Sequence, residues 1–332
     1  MNLPHRSRPW LGATLRWGGT AVVLILLFRF LPLEQLGGSL QRVPPSIWCF
    51  VLAAYLLVHA VGVVKWRLML NAAGAGLSFA QAVRCYGGGL FGTLFLPSIV
   101  GGDVVRVGLA LRLSRHRAAA AVGSVVDRLV DMAALGSLAL IGILLLPKSL
   151  DSFGRKLFEE ILAAAALFLV VCIAVLLALK KLVPPRALPF RLRRLAVRLR
   201  RALRAMMQRK HAVGQAWVLG MVIQSALVWL TAVIASGCGL HLPLRVWVLA
   251  WPLAKLAALL PITQGGIGVR EAALVALLAP LGGAPAMTMA TGLVWEAIIL
   301  VGGLIAGLTS YFLGRTRAAG SLPREPTPPS QI

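Results

Sequence analysis

The chain has 332 residues, 59% of them hydrophobic and 13% charged, with a mean hydropathy of +0.85. A water-soluble domain does not carry so much apolar surface, which excludes a soluble enzyme. Lys and Arg number 34 against 10 Asp and Glu, a formal charge of +24; without a nucleic-acid-binding motif beside it, this excess reads as membrane topology and affinity for anionic lipid, with no nucleic acid partner.

Taken in chain order, the arm at 1–12 is basic through His5, Arg6 and Arg8 and is expected in the cytoplasm. The apolar run that follows has no small-residue cleavage site after Leu31, so it is expected to be a retained span. A hydrocarbon core of about 30 Å takes roughly 20 apolar residues to cross. On that measure six spans are predicted, at 13–31, 46–66, 118–146, 160–179, 212–236 and 286–312. Two shorter apolar segments, 80–97 and 245–261, each end at Leu-Pro ahead of a Gly pair and are predicted to be re-entrant. The membrane domain runs over 13–320, and the Pro/Ser-rich tail at 321–332 is expected to be disordered.

Charge orients the spans. The loop at 32–45, with one Arg and one Glu, and the mixed loop at 147–159 read as external. Lys65, Arg67, Arg106, Arg112, Arg115, Arg117, Arg315 and Arg317 read as internal. The loop 180–211 carries twelve Lys or Arg between 180 and 210 and no acid, which places it and both termini in the cytoplasm. The positive-inside rule holds throughout only if 80–97 and 245–261 do not cross. Within the basic loop, Leu192, Leu195, Leu199, Leu203 and Met206 recur at helical spacing among arginines. An amphipathic helix lying on the anionic inner leaflet through 190–210 is expected.

The most specific feature is a duplication. Leu96-Pro97-Ser-Ile-Val-Gly101-Gly102-Asp103-Val-Val105-Arg106 and Leu260-Pro261-Ile-Thr-Gln-Gly265-Gly266-Ile-Gly-Val269-Arg270 both read L-P-x-x-x-G-G-x-x-V-R. Upstream, Gly74-Ala-Gly76-Leu77 matches Gly237-Cys-Gly239-Leu240. The copies fall in repeats at about 46–146 and 212–312 that start three crossings apart, so they are expected to be inverted, as in many secondary transporters. A helix is predicted after each Gly pair, at 103–115 and 267–279. Its free N–H groups, with Arg106 and Arg270 in the first turn, would suit a phosphate.

Carboxylates support a polar interior. Asp103, Asp127, Asp131, Glu271 and Glu296 fall in spans or motifs, as does Lys255. Intramembrane charges are functional candidates because their burial is costly. Asp127 and Asp131 share a helix face, and Arg128 is three positions before Asp131 and is expected to pair with it. Cys49, Cys85, Cys172 and Cys238 are scattered and read as small core residues. The five His form no metal pattern, so neither metal nor cofactor is expected. Trp10, Trp17, Trp48 and Trp66 are expected to anchor spans at the interface. Gly87–Gly92, Gly303 and Gly307 read as close helix packing.

The residues Leu96–Arg106, Asp127-Arg-Leu-Val-Asp131 and Leu260–Glu271 resemble the lysylphosphatidylglycerol synthase/flippase transmembrane family, over about 15–312. The resemblance implies movement of a lipid with a polar head across the inner membrane. The aminoacyl-transferase domain of the two-part proteins is absent from the sequence, so a separate enzyme is expected to make the lipid. Two rivals stand beside a flippase: an embedded transferase using Asp103, Asp127 or Glu271 as base, and a proton-coupled transporter of a small anion. The expected fold is an all-α polytopic membrane protein with about six transmembrane helices plus two re-entrant segments in inverted repeats.

Overall fold

The computed structural model describes residues 33–96, 98–145, 190–258 and 267–319, with Thr263 and scattered positions between 156 and 174. The arm at 1–12, the span 13–31, nearly all of the span 160–179, the tail 321–332, Trp10, Trp17, Cys172, Gly265 and Gly266 lie outside the described residues. Every regular element among the described residues is helical.

A short helix α1 (Leu33–Gln41), in the stretch read as an external loop, packs on the last helix. The first repeat follows as α2 (Pro45–Ala72), α3 (Phe79–Thr93), α4 (Ser98–Leu113) and α5 (Arg117–Leu145). The basic helix α6 (Phe190–Gln208) leads into the second repeat, α7 (Lys210–Gly237), α8 (Leu244–Ala257), α9 (Val269–Leu278) and α10 (Pro285–Ala319). Of these, α2, α5, α7 and α10 are long and apolar enough to cross a membrane, and they coincide with four of the six predicted spans. The other two predicted spans lie in the undescribed stretches.

The helices between them are shorter. With 15 residues in α3 and 14 in α8, a rise of about 1.5 Å per residue gives roughly 21–23 Å, less than the hydrocarbon core. Each packs against the helix that follows it, α3 on α4 and α8 on α9, as a helical hairpin. Ser78 starts α3 with a capping box: its Oγ accepts from Gln81 N, and Gln81 Oε1 accepts from Ser78 N.

The two stretches that carry the duplicated motif share local features. Both α2 and α7 end in the same cap, a left-handed glycine followed by a residue whose N–H reaches back five positions. In α2 these are Gly74 (φ 95°), with Ala75 N donating to Leu70 O at 3.0 Å. In α7 they are Gly239 (φ 86°), with Leu240 N donating to Ala235 O at 2.8 Å. Contacts between repeats are reciprocal. The first hairpin helix of each repeat packs on the last span of the other, α3 on α10 and α8 on α5, while α2 packs on α7. Glycines allow the approach: a Cβ on Gly87 would lie 2.6 Å from Ala306 O of α10, and one on Gly142 of α5 would lie 2.7 Å from Leu249 Cα of α8. Gly303 and Gly307 likewise meet Leu94 and Phe91. The glycine stretch 87–92 is therefore packing surface, as its sequence suggested.

Several sequence expectations need correction. The helix after the first Leu-Pro begins at Ser98, not 103, so Gly101 and Gly102 lie inside α4. Gly102 is there because a Cβ would collide with Thr93 Oγ1 and Gly89 O of α3. Trp66 is fully buried rather than interfacial, and Cys49 is exposed while Cys85 and Cys238 are core residues. The basic helix is present, but Ala202, Leu203 and Met206 are buried on the bundle, while Leu195 is exposed.

Candidate functional site

Eight helices line a cavity of about 180 Å³ whose wall carries Lys65 of α2, Asp103 and Arg106 of α4, Asp127, Arg128 and Asp131 of α5, Lys255 of α8 and Arg270 of α9. Tyr86 of α3, Gln224 of α7 and Trp295 of α10 complete it. The space has room for a small polar group or several waters.

Charges from the first repeat form an alternating string. Arg128 Nη1 lies 3.3 Å from Asp103 Oδ2, and Asp103 Oδ1 lies 2.7 Å from Arg106 Nη2. Arg106 Nη2 stands 3.8 Å from Asp127 Oδ2. Lys65 Nζ then bridges Asp127 Oδ1 at 2.5 Å and Asp131 Oδ1 at 3.0 Å. Three cations and three carboxylates thus neutralise one another, which is what allows them to sit among apolar helices. The expected pairing of Arg128 with Asp131 is not what forms. Arg128 turns to Asp103, and Lys65 takes Asp131.

The second repeat answers with the same plan. Arg270 Nη2 lies 2.9 Å from Glu271 Oε1 and 2.8 Å from Glu296 Oε1. Glu271 also accepts from Gly268 N at 2.7 Å, where Gly268 turns at φ 86° to start α9. Gly292 of α10 has no side chain because a Cβ would lie 2.5 Å from Glu271 Cγ. So each motif arginine holds one carboxylate of its own helix and one of the following span. Each also lies over an aromatic ring of its own hairpin: Arg106 over Tyr86 at 5.0 Å, Arg270 over Trp251 at 5.4 Å. Arg106 is in addition 5.3 Å from the Trp66 ring.

Two groups differ from this pattern. Lys255 Nζ donates to Gln224 Oε1 at 2.9 Å and has no carboxylate within ion-pair distance among the described residues. Asp127 Oδ2 and Arg106 Nε are buried with no hydrogen-bond partner. Between the two arginine clusters stand Tyr55 and His59 of α2. His59 Nδ1 is 3.3 Å from Tyr86 Oη, and the Tyr55 ring meets Trp295 edge-on at 6.0 Å.

Most site residues picked from the sequence therefore converge. Gly102, Asp103, Arg106, Asp127, Arg128, Asp131, Lys255 and Arg270 line the cavity, and Glu271 and Glu296 hold Arg270. Gly101 instead packs on Leu96, and Gly265 and Gly266 lie outside the described residues. Sequence reasoning missed Lys65, Tyr55, His59, Tyr86, Gln224, Trp251 and Trp295. Lys65 was read only as an internal-side charge; α2 continues two turns past it to Ala72 and carries it into the cavity wall.

A polytopic helical membrane protein with a charged, closed-in cavity between two repeats is the class that this geometry defines. The profile described as lysylphosphatidylglycerol synthase TM region matches residues 11–307, and the chain belongs to that family. A search of curated proteins finds no match.

Proposed function

We propose that the chain is a lipid flippase of the inner membrane, passing the polar head of an anionic or modified phospholipid, or of a lipid-linked precursor, through this cavity. One observation carries the reading: the same arginine of both repeats reaches the wall of a single polar chamber between apolar helices. Two halves that can exchange roles around one chamber are what alternating exposure to the two leaflets requires. Arg106 Nε, which has no hydrogen-bond partner, and Lys255, held by a neutral amide, are the groups that an anionic head group would satisfy, while Asp127 Oδ2, without a hydrogen bond, would accept from a donor on a modified head.

This reading includes six spans, the two hairpins as re-entrant segments, inverted repeats, and cytoplasmic termini and basic helix. The helix α6 would lie on the anionic inner leaflet, exposing Arg193, Arg198 and Arg201. The transferase alternative gains no support, because each carboxylate named as a base is held by a cation, an arrangement for binding rather than proton abstraction.

The test is leaflet-resolved transport in proteoliposomes, scanning head-group-labelled phospholipids. Wild type should move at least one class, and Arg106→Gln and Arg270→Gln should each slow it about tenfold, the scale of losing one charge-assisted bond. No movement of any lipid by wild type, or full activity in the double variant, would overturn the proposal.

A further inference from the structure

The charged chamber is not the only hollow in the fold. A groove of about 650 Å³ runs between α2 and α7, lined by Val64, Arg67, Leu68 and Asn71 on one side and Gln215, Val218 and Leu219 on the other. Both sets follow helical spacing, so each is one stripe of its helix. The two helices run antiparallel: Arg209, just before α7, donates to Asn71 O near the end of α2 at 3.2 Å, and Phe50 meets Trp229 at the far end.

The groove is polar at one end and apolar at the other. At the end where α2 finishes and α7 begins stand Arg67, Asn71 and the Arg209 guanidinium, with Lys210 beside it. Toward the middle of the helices the lining becomes Val64, Val218 and Leu219. Val64 and Val218 are each about half exposed, as is Val222 one turn further on. An apolar flank left uncovered on two membrane-crossing helices faces acyl chains. Arg67 commits Nε to Leu77 O at 3.1 Å, which fixes the guanidinium while its two terminal nitrogens bond to nothing among the described residues. The Gln215 side chain has no partner among them either.

We infer that this groove is a binding site for one anionic phospholipid, its phosphate on Arg67, Gln215 and the Arg209–Lys210 pair and its chains along Val64, Leu68, Val218 and Leu219. Charge complementarity selects the anionic head, because the lining and its rim hold cations and amides but no carboxylate. The site does not depend on transport through the chamber. It lies behind that chamber, on the same two helices: Lys65 adjoins Val64, and Gly220 adjoins Leu219 and faces Asp131.

Native mass spectrometry of the full chain, purified in detergent and offered equal phosphatidylglycerol and phosphatidylcholine of matched chains, tests it without any transport assay. Wild type should keep one phosphatidylglycerol in preference. Leu219→Trp, which fills the groove, should lower that retention at least fivefold, and Arg67→Gln should abolish the preference. Val301→Trp, on uncovered surface of α10, should change nothing. No preference in wild type, or equal retention in Leu219→Trp and Val301→Trp, would overturn the site. Should Arg67→Gln fail to fold, through loss of its bond to Leu77, Leu219→Trp decides alone.

Discussion

Lys65 and Asp127 meet at 2.5 Å across α2 and α5, although 62 positions separate them in the chain. Each is at most 4% exposed in its side chain. Removing one partner of such a pair leaves a buried charge uncompensated, at about 3–5 kcal/mol. Lys65→Met should therefore lower the melting temperature of the purified protein by several degrees. Lys65→Met combined with Asp127→Asn should recover part of that loss, giving a coupling of roughly 1–3 kcal/mol in a double-mutant cycle. Strict additivity of the two substitutions would count against a direct pair.

Glycine packing makes a separate prediction. A Cβ at Gly102 meets Thr93 and Gly89 of the neighbouring hairpin arm, whereas one at Gly108 of the same helix meets nothing within 4 Å. Gly102→Ala should destabilise by about 1–3 kcal/mol through overpacking. Gly108→Ala should be neutral or stabilise by up to about 1 kcal/mol, the helix preference for Ala over Gly. Thermal melts of the two variants compare the sites directly, and equal melts would contradict the close approach of α3 and α4.

Much of this architecture was legible in the sequence, for reasons that also explain what was not. The four described spans are runs of apolar residues long enough to satisfy every backbone group inside one helix, and such runs declare themselves. Arg106 and Arg270 were found because a duplicated motif marks equivalent positions. Lys65 was hidden because a lysine near the end of an apolar run looks like an interfacial charge, and only the fold shows α2 extending to Ala72. Arg128 looked as though it served Asp131 because local spacing allowed it. The choice was made by α4, which brings Asp103 to Arg128, and by α2, which brings Lys65 to Asp131. Tyr55, His59 and Gln224 carry no sequence signal, since their role comes from which helices surround them.

The positive charge predicts the topology. In a background freed of Cys49, which is exposed, a cysteine placed at Arg198 should react with an impermeant thiol reagent only after the membrane is opened. One placed at Ser152 should react in intact cells. The reverse pattern would remove the inverted arrangement of the repeats.

The last prediction concerns Lys255 and rests on the contrast between its partner and those of the other cations. Lys65, Arg106, Arg128 and Arg270 each hold a carboxylate, so removing any of them takes a counter-charge from an anion in the bundle. Lys255 holds only the amide oxygen of Gln224, at 2.9 Å. Replacing it by Gln strands no directly paired carboxylate, and the amide can still hydrogen-bond. Lys255→Gln should thus melt within about 4 °C of wild type, the shift that about 1 kcal/mol produces in a chain of this size or smaller. Its effect on transport should be far larger. Among the described residues, Lys255 is the cavity cation whose charge is not already answered by a neighbouring carboxylate, so it is the one that an arriving anionic group can engage without breaking an ion pair. Loss of that charge-assisted contact should slow transport of an anionic lipid roughly tenfold or more. Lys255→Arg should retain part of the rate, since it keeps the charge in a different shape. Melting and transport measured on the same preparations separate the possibilities. A destabilised Lys255→Gln would make the residue structural, and a stable variant with wild-type transport would remove Lys255 from the head-group site.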